Sequence, residues 1–232
     1  MNQAVENTIN FTPAPKAAPR RIDLIPRTRN QERLVMALQN PDAHIVVTVG
    51  PAGTGKTYLA MQAAIKALKE GACDRIVMTR PAVGVEGEQH GFLPGNLVAK
   101  MEPWTRPLLD VMREYYRPQD IVALIEDQVV EIAPLAYMRG RTFKHSWIIA
   151  DEMQNATPAQ TKMLMTRIGT DSKIVITGDV EQADRHSGAN GLLDLCARLQ
   201  SHPVRGIEVC PMETRDVQRH SIIGSVLKLY AD

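Results

Sequence analysis

Short apolar runs recur along this chain at intervals that a helix can fill. Ile45 to Val49, Arg75 to Thr79, Gln128 to Ile132, Ser146 to Ala150, Lys173 to Thr177 and Ile207 to Cys210 are brief and mostly rich in Val and Ile, as strands buried on both faces are. Between them the period lengthens: Leu59, Ala60, Ala63, Ala64, Ala67 and Leu68 fall on one helix face. Thr28 to Gln31 opens an earlier helix carrying Leu34, Val35 and Leu38, and Asn40 with Pro41 stops it. Met163, Leu164 and Ile168 read as packing positions on another. This alternation predicts an α/β fold, a largely parallel sheet with helices on both faces.

The pattern loosens in two places. Between Pro81 and Gln128, Gly84, Gly87, Gly91 and Gly95 punctuate a loop, and Pro103 and Pro107 interrupt the helical spacing that follows. A loop of that length is a candidate for substrate contact or subunit packing. Residues 1–27 hold Pro13, Pro15, Pro19 and Pro26 with Lys16, Arg20, Arg21 and Arg27, and few large apolar groups. They predict a flexible basic arm ahead of one domain over residues 28–232. Contact of the arm with nucleic acid or a neighbouring subunit stands beside the plainer reading of an ordinary disordered terminus.

Bulk composition narrows little. A chain of 232 residues suffices for one sizeable α/β core, and a net charge of +1 means that any basic surface is local. Cys73, Cys196 and Cys210 lack C-x-x-C spacing and suit a reducing compartment. His44, His90, His145, His186, His202 and His220 show no H-E-x-x-H spacing, so no transition metal is expected. No apolar run approaches the ~20 residues of a membrane helix and the N-terminus lacks a signal pattern, which together predict a cytoplasmic protein without a membrane partner.

The chemistry concentrates in "GPAGTGKTY", comprising Gly50, Pro51, Ala52, Gly53, Thr54, Gly55, Lys56, Thr57 and Tyr58. It fits G-x-x-x-x-G-K-[ST] between a strand and a helix, the arrangement whose backbone N–H groups and helix dipole cradle phosphate. Lys56 is expected to reach the β and γ phosphates, and the Thr57 hydroxyl to ligate magnesium. "SWIIADEMQN" supplies the other half. Its strand ends in Asp151, a second magnesium-shell candidate, and in Glu152. Glu152 can orient and polarise water for in-line attack, or serve only as a helix N-terminal charge. A kinase must keep water from the γ phosphate, so a carboxylate at this position favours hydrolysis. In "VITGDVEQAD", Thr177 and Gln182 are placed to sense that phosphate if their strand lies beside the one ending at Asp151.

Several further segments extend this set: Thr79 to Val83, Gly91 to Gly95, Pro134 to Thr142, Asp151 to Asn155, Ile176 to Asp179 and Asp216 to His220. Together they closely resemble the PhoH-like ATPase family from Thr28 to Tyr230. That resemblance implies a three-layer α/β/α, RecA-like P-loop NTPase fold, similar to the first domain of superfamily 1 helicases, with ATP and Mg2+ as its cofactors. It implies that Gln182 couples nucleotide state to strand binding and that Thr79 to Pro81 touch a single-stranded backbone. It also implies that Gln31 reads adenine, although Thr28 and Gln31 equally form a capping box. Met153 and Glu181 depart from the helicase pattern, where alanine and a small hydroxyl residue are usual.

One RecA-like domain lacks the arginine that a second would supply, so the resemblance points to a homohexameric ring in which a neighbour provides it. Arg139 and Arg141, then Arg215 and Arg219, are the candidates, with Arg141 and Arg219 chosen for testing. The leading expectation is a magnesium-dependent ATPase that remodels RNA or single-stranded nucleic acid. Backbone contacts through Arg80, Lys100 and the arm would carry that binding, since aromatic residues make up only 4% of the chain. The alternative is a nucleotide-dependent switch that binds a protein partner; a small-molecule kinase is disfavoured by Glu152.

Overall fold

Val and Ile at successive positions leave a strand no polar face to turn toward water, so each such strand must be covered twice. The computed structural model, which describes residues 22–81, 106, 109–180 and 190–218, meets that demand with a six-stranded sheet. Its strands are β1 (Ile45–Val49), β2 (Arg75–Arg80), β3 (Val130–Pro134), β4 (Ser146–Ala150), β5 (Lys173–Gly178) and β6 (Ile207–Pro211). They pair in the order β3-β2-β4-β5-β1-β6, and every pairing is parallel. The α/β expectation therefore holds.

Adjacent residues of one strand feed different cores, as the two-residue period requires. Ile149 and Val46 join α1 (Arg29–Gln39), α2 (Lys56–Lys69) and the helical residues 109–113 on one face. Ile148 and Val47 join α4 (Pro158–Met165) and α5 (Gly191–Ser201) on the other. A further helix, α3 (Pro118–Glu126), precedes β3. This is the three-layer arrangement. Ala60, Ala63, Ala64 and Ala67 alternate with Leu59, Met61 and Ile65 among the buried residues of α2, and these alanines keep part of its packed surface small.

Strands β2, β5 and β6 each run one residue past the sequence reading, and two further boundaries shift more. Ile22 is buried in the first core and Leu24 packs against it, so the folded chain includes residues 22–27, which the sequence pattern alone places in the arm. Strand β3 starts at Val130 rather than Gln128, because Gln128 takes a left-handed backbone (φ 58°) where α3 ends. At the opposite end of the sheet from the P-loop, Lys173 Nζ donates to the carbonyls of Leu38 and Asn40, at 2.6 and 2.8 Å. It satisfies the last turn of α1, which has no basic residue of its own.

Candidate active site

In a parallel sheet the carboxyl ends of the strands present ligand groups along one edge. Here β5 lies between β1 and β4, bringing Thr177 beside both the P-loop strand and the strand that ends at Asp151. The condition attached to Thr177 is thus met. Gly50 N–H donates to the Gly178 carbonyl at 3.2 Å, and Asp151 N–H to the Thr79 carbonyl at 3.0 Å, so strand ends fix both halves of the site.

The loop from Gly50 to Gly55 needs glycine at two points for different reasons. Gly50 has φ 143°, and a Cβ there would lie 2.3 Å from the Met212 carbonyl oxygen. Gly55 caps α2 with φ 83°, where a side chain would press on Gln31 Nε2. Within this loop Lys56 is buried and folds back, donating to the Gly50 and Pro51 carbonyls at 2.6 and 2.7 Å. The Thr54 hydroxyl also donates to Pro51, at 2.9 Å, so Thr54 shapes the loop. Ala52, Gly53, Gly55, Lys56, Thr57 and Tyr58 line a cavity of about 320 Å³ together with Asp151 and Glu152. The two halves of the sequence motif meet there.

Asp151 is the hub. Its Oδ1 accepts the Thr57 hydroxyl at 2.9 Å and also the Thr177 hydroxyl, while its Oδ2 accepts Arg80 at 2.7 Å. Glu152 has a left-handed backbone (φ 55°), uncommon for a side-chain-bearing residue, and its side chain is 42% exposed. Gln154 holds it: Gln154 Nε2 donates to Glu152 Oε2 at 2.6 Å, and Gln154 Oε1 accepts the Asp179 N–H at 3.1 Å. A Cβ on Gly178 would lie 2.6 Å from Gln154 Oε1, so the bare backbone makes room for this bridge. Met153, the departure from alanine, is fully buried in the second core and leaves the cavity unobstructed.

Gln31 lies against the P-loop. Its Nε2 donates to the Thr54 carbonyl at 3.0 Å and its Oε1 accepts the Arg27 N–H at 2.8 Å, while Thr28 Oγ1 caps the Gln31 N–H. The glutamine thus does satisfy a backbone donor at the helix start, though that of Arg27 rather than the N-cap. Tyr58 donates its hydroxyl to Glu114 at 2.9 Å; burial, then that hydrogen bond, hold the phenol above its ordinary pKa, so it stays neutral. Arg141 is not brought to the cavity. It pairs through both terminal nitrogens with Glu131 on the edge strand β3 and stacks 4.5 Å from the Phe143 ring. Gln182, Arg219 and Lys100 lie outside the described residues.

Sequence reasoning assigned no role to Asn30, Gln154 or Asp216. After β6 the chain returns to the P-loop, where Gln218 N–H donates to the Gly53 carbonyl at 2.9 Å. Asp216, only 1% exposed, accepts Asn30 Nδ2 at 2.7 Å and Glu213 N–H at 2.8 Å. Burial works to raise its pKa, but hydrogen bonds from Thr28, Asn30 and Glu213, with nearby Arg215, outweigh it and hold the carboxyl below its ordinary value. Asp216→Ala should lower folding stability at neutral pH by about 2 kcal/mol in urea titrations, because it orphans buried donors. A folded pKa below the unfolded one means that this stabilisation is present above pH of about 4 and fades as pH falls through the folded value. The difference between wild type and variant should therefore shrink in acid.

The family model described as PhoH-like protein matches residues 23–231. A PhoH-like protein of Synechocystis sp. is 42% identical over 204 residues, covering 88% of this chain and 61% of that protein. One from Bacillus subtilis is 44% identical over 204 residues, covering 88% and 63%. The chain thus spans somewhat less than two thirds of the length of these curated relatives. Among solved structures, the Sulfolobus solfataricus SWI2/SNF2 ATPase core in complex with dsDNA aligns with a TM-score of 0.47 at 14% identity, over 84% of this chain and 46% of that one.

Proposed function

This chain belongs to the PhoH-like protein family, and on that premise we propose that it binds ATP with magnesium between β1 and α2, hydrolyses it, and couples the cycle to RNA or single-stranded nucleic acid. The observation that carries this reading is the convergence on Asp151 of hydroxyls from the P-loop helix and from β5, with Glu152 alongside.

The donor set suits magnesium. Thr57 and Asp151 offer hard oxygens 2.9 Å apart, and magnesium is commonly held by one or two carboxylates plus phosphate oxygens. When bound, the ion would neutralise charge on the β and γ oxygens. Lys56 turns from the loop carbonyls to those oxygens, and the P-loop N–H groups fix their positions. Glu152, oriented by Gln154, aligns a water and withdraws its proton as attack proceeds. Thr177 and Gln154 then carry the change at the γ position to the end of β5, the route by which nucleotide state reaches a bound strand.

Efficient hydrolysis also calls for a cation on the transition state, and Lys56 is the one lysine or arginine lining the cavity among the described residues. An adjacent copy in a ring supplies an arginine in this scheme. Arg139 is exposed, whereas Arg141 would first have to leave Glu131. The test is ATP turnover with and without RNA or single-stranded DNA, alongside solution mass. Stimulation at low salt that falls as salt rises is expected, because phosphate contacts release counterions. Turnover indifferent to every polynucleotide would favour the protein-binding switch instead.

A further inference from the structure

Arg80 sits at the end of β2, and one of its terminal nitrogens serves two acids: Asp151 Oδ2 at 2.7 Å and Glu152 Oε1 at 3.5 Å. It is the sole ion-pair partner of both carboxylates among the described residues. The Thr57 and Thr177 hydroxyls occupy Asp151 Oδ1, so Arg80 covers the oxygen that remains.

This attachment is incomplete by the standard of the molecule itself. Arg141 grips Glu131 with two nitrogens on two oxygens, whereas Arg80 uses a single nitrogen and leaves its buried Nε without a hydrogen-bond partner. A guanidinium is satisfied when its fork of donors is matched, and a buried donor left unmade is costly. Arg80 is therefore a counter-ion with unused hydrogen-bonding capacity.

Resting on the magnesium-nucleotide reading above, we propose that Arg80 and the divalent cation exclude each other at Asp151. In the nucleotide-free chain Arg80 neutralises the acidic pair. When the metal-nucleotide complex loads, repulsion between like charges and loss of its acceptor drive Arg80 off the carboxylates toward the solvent rim. There it is a free guanidinium suited to a phosphodiester backbone, and Glu152 is released to act on water. Coupling of this kind is reciprocal, so Arg80 must weaken the metal as much as the metal weakens its hold.

Labelling of the full-length chain by phenylglyoxal, with the rate at Arg80 mapped by mass spectrometry, tests this without reference to turnover. Arg80 should be protected in the free protein and in ADP with chelator, and react several-fold faster with Mg2+ and ADP. In the same samples calorimetry reports whether Mg2+ and ADP bind. Binding with an unchanged or slower Arg80 rate overturns the exchange alone; absence of binding overturns the nucleotide reading and the exchange with it. In Arg80→Gln, the Mg2+ concentration for half-maximal ADP binding should fall by about tenfold, a usual size for coupled sites. An unchanged metal requirement in a folded Arg80→Gln protein would contradict the exchange as well.

Discussion

Glu152→Gln should leave ATP bound while its turnover falls by about 10² to 10⁴, the usual contribution of a positioned general base. The substitution keeps the size of the side chain and an oxygen able to accept from Gln154, whose present contact is 2.6 Å. What disappears is the negative charge that polarises water. Lys56, Thr57 and Asp151 are untouched, so equilibrium binding of ATP should stay near the wild-type value while the rate of phosphate release collapses. If Glu152 were only a helix-terminal charge, turnover would change little and the loss would appear in stability.

Lys56→Ala should act at the earlier step. Lys56 is buried, and in the free chain its ammonium ties together the Gly50 and Pro51 carbonyls, an arrangement that stores the charge next to the phosphate cradle. Removing it takes away charge-assisted hydrogen bonds to the β and γ phosphates worth about 3 kcal/mol, or about a hundredfold in Kd. Isothermal titration with Mg2+ and ATP checks this, with circular dichroism to confirm the fold. A variant that folds and still binds ATP like wild type would remove Lys56 from the phosphate site.

The contrast between these residues and the others shows what local sequence can carry. The P-loop and the Asp151 strand were legible because each motif is contiguous and its strand or helix is fixed by neighbours a few positions away. The strands were legible because Val and Ile runs between helical periods leave few alternatives. Asn30 and Asp216 meet across 186 positions, Arg80 and Asp151 across 71, and Gln154 reaches Asp179 across 25. None of these pairings has a periodic signature. They exist because β5 inserts between β1 and β4 and because the chain after β6 returns to the P-loop. The burial of Ile22 was hidden because Ile22, Leu24 and Ile25, set between arginines and a proline, form too short a run to show a period.

A single-turnover experiment addresses hydrolysis at this cavity: protein in excess over radiolabelled ATP, mixed with magnesium, quenched over time and assayed for inorganic phosphate, with RNA present and with the oligomer verified. The expected result is ATP captured at the outset and converted to ADP and phosphate by wild type, with conversion suppressed in Glu152→Gln despite equal capture. ATP held by the wild-type assembly and recovered intact at every time, with or without RNA, would contradict hydrolysis as the work of this site.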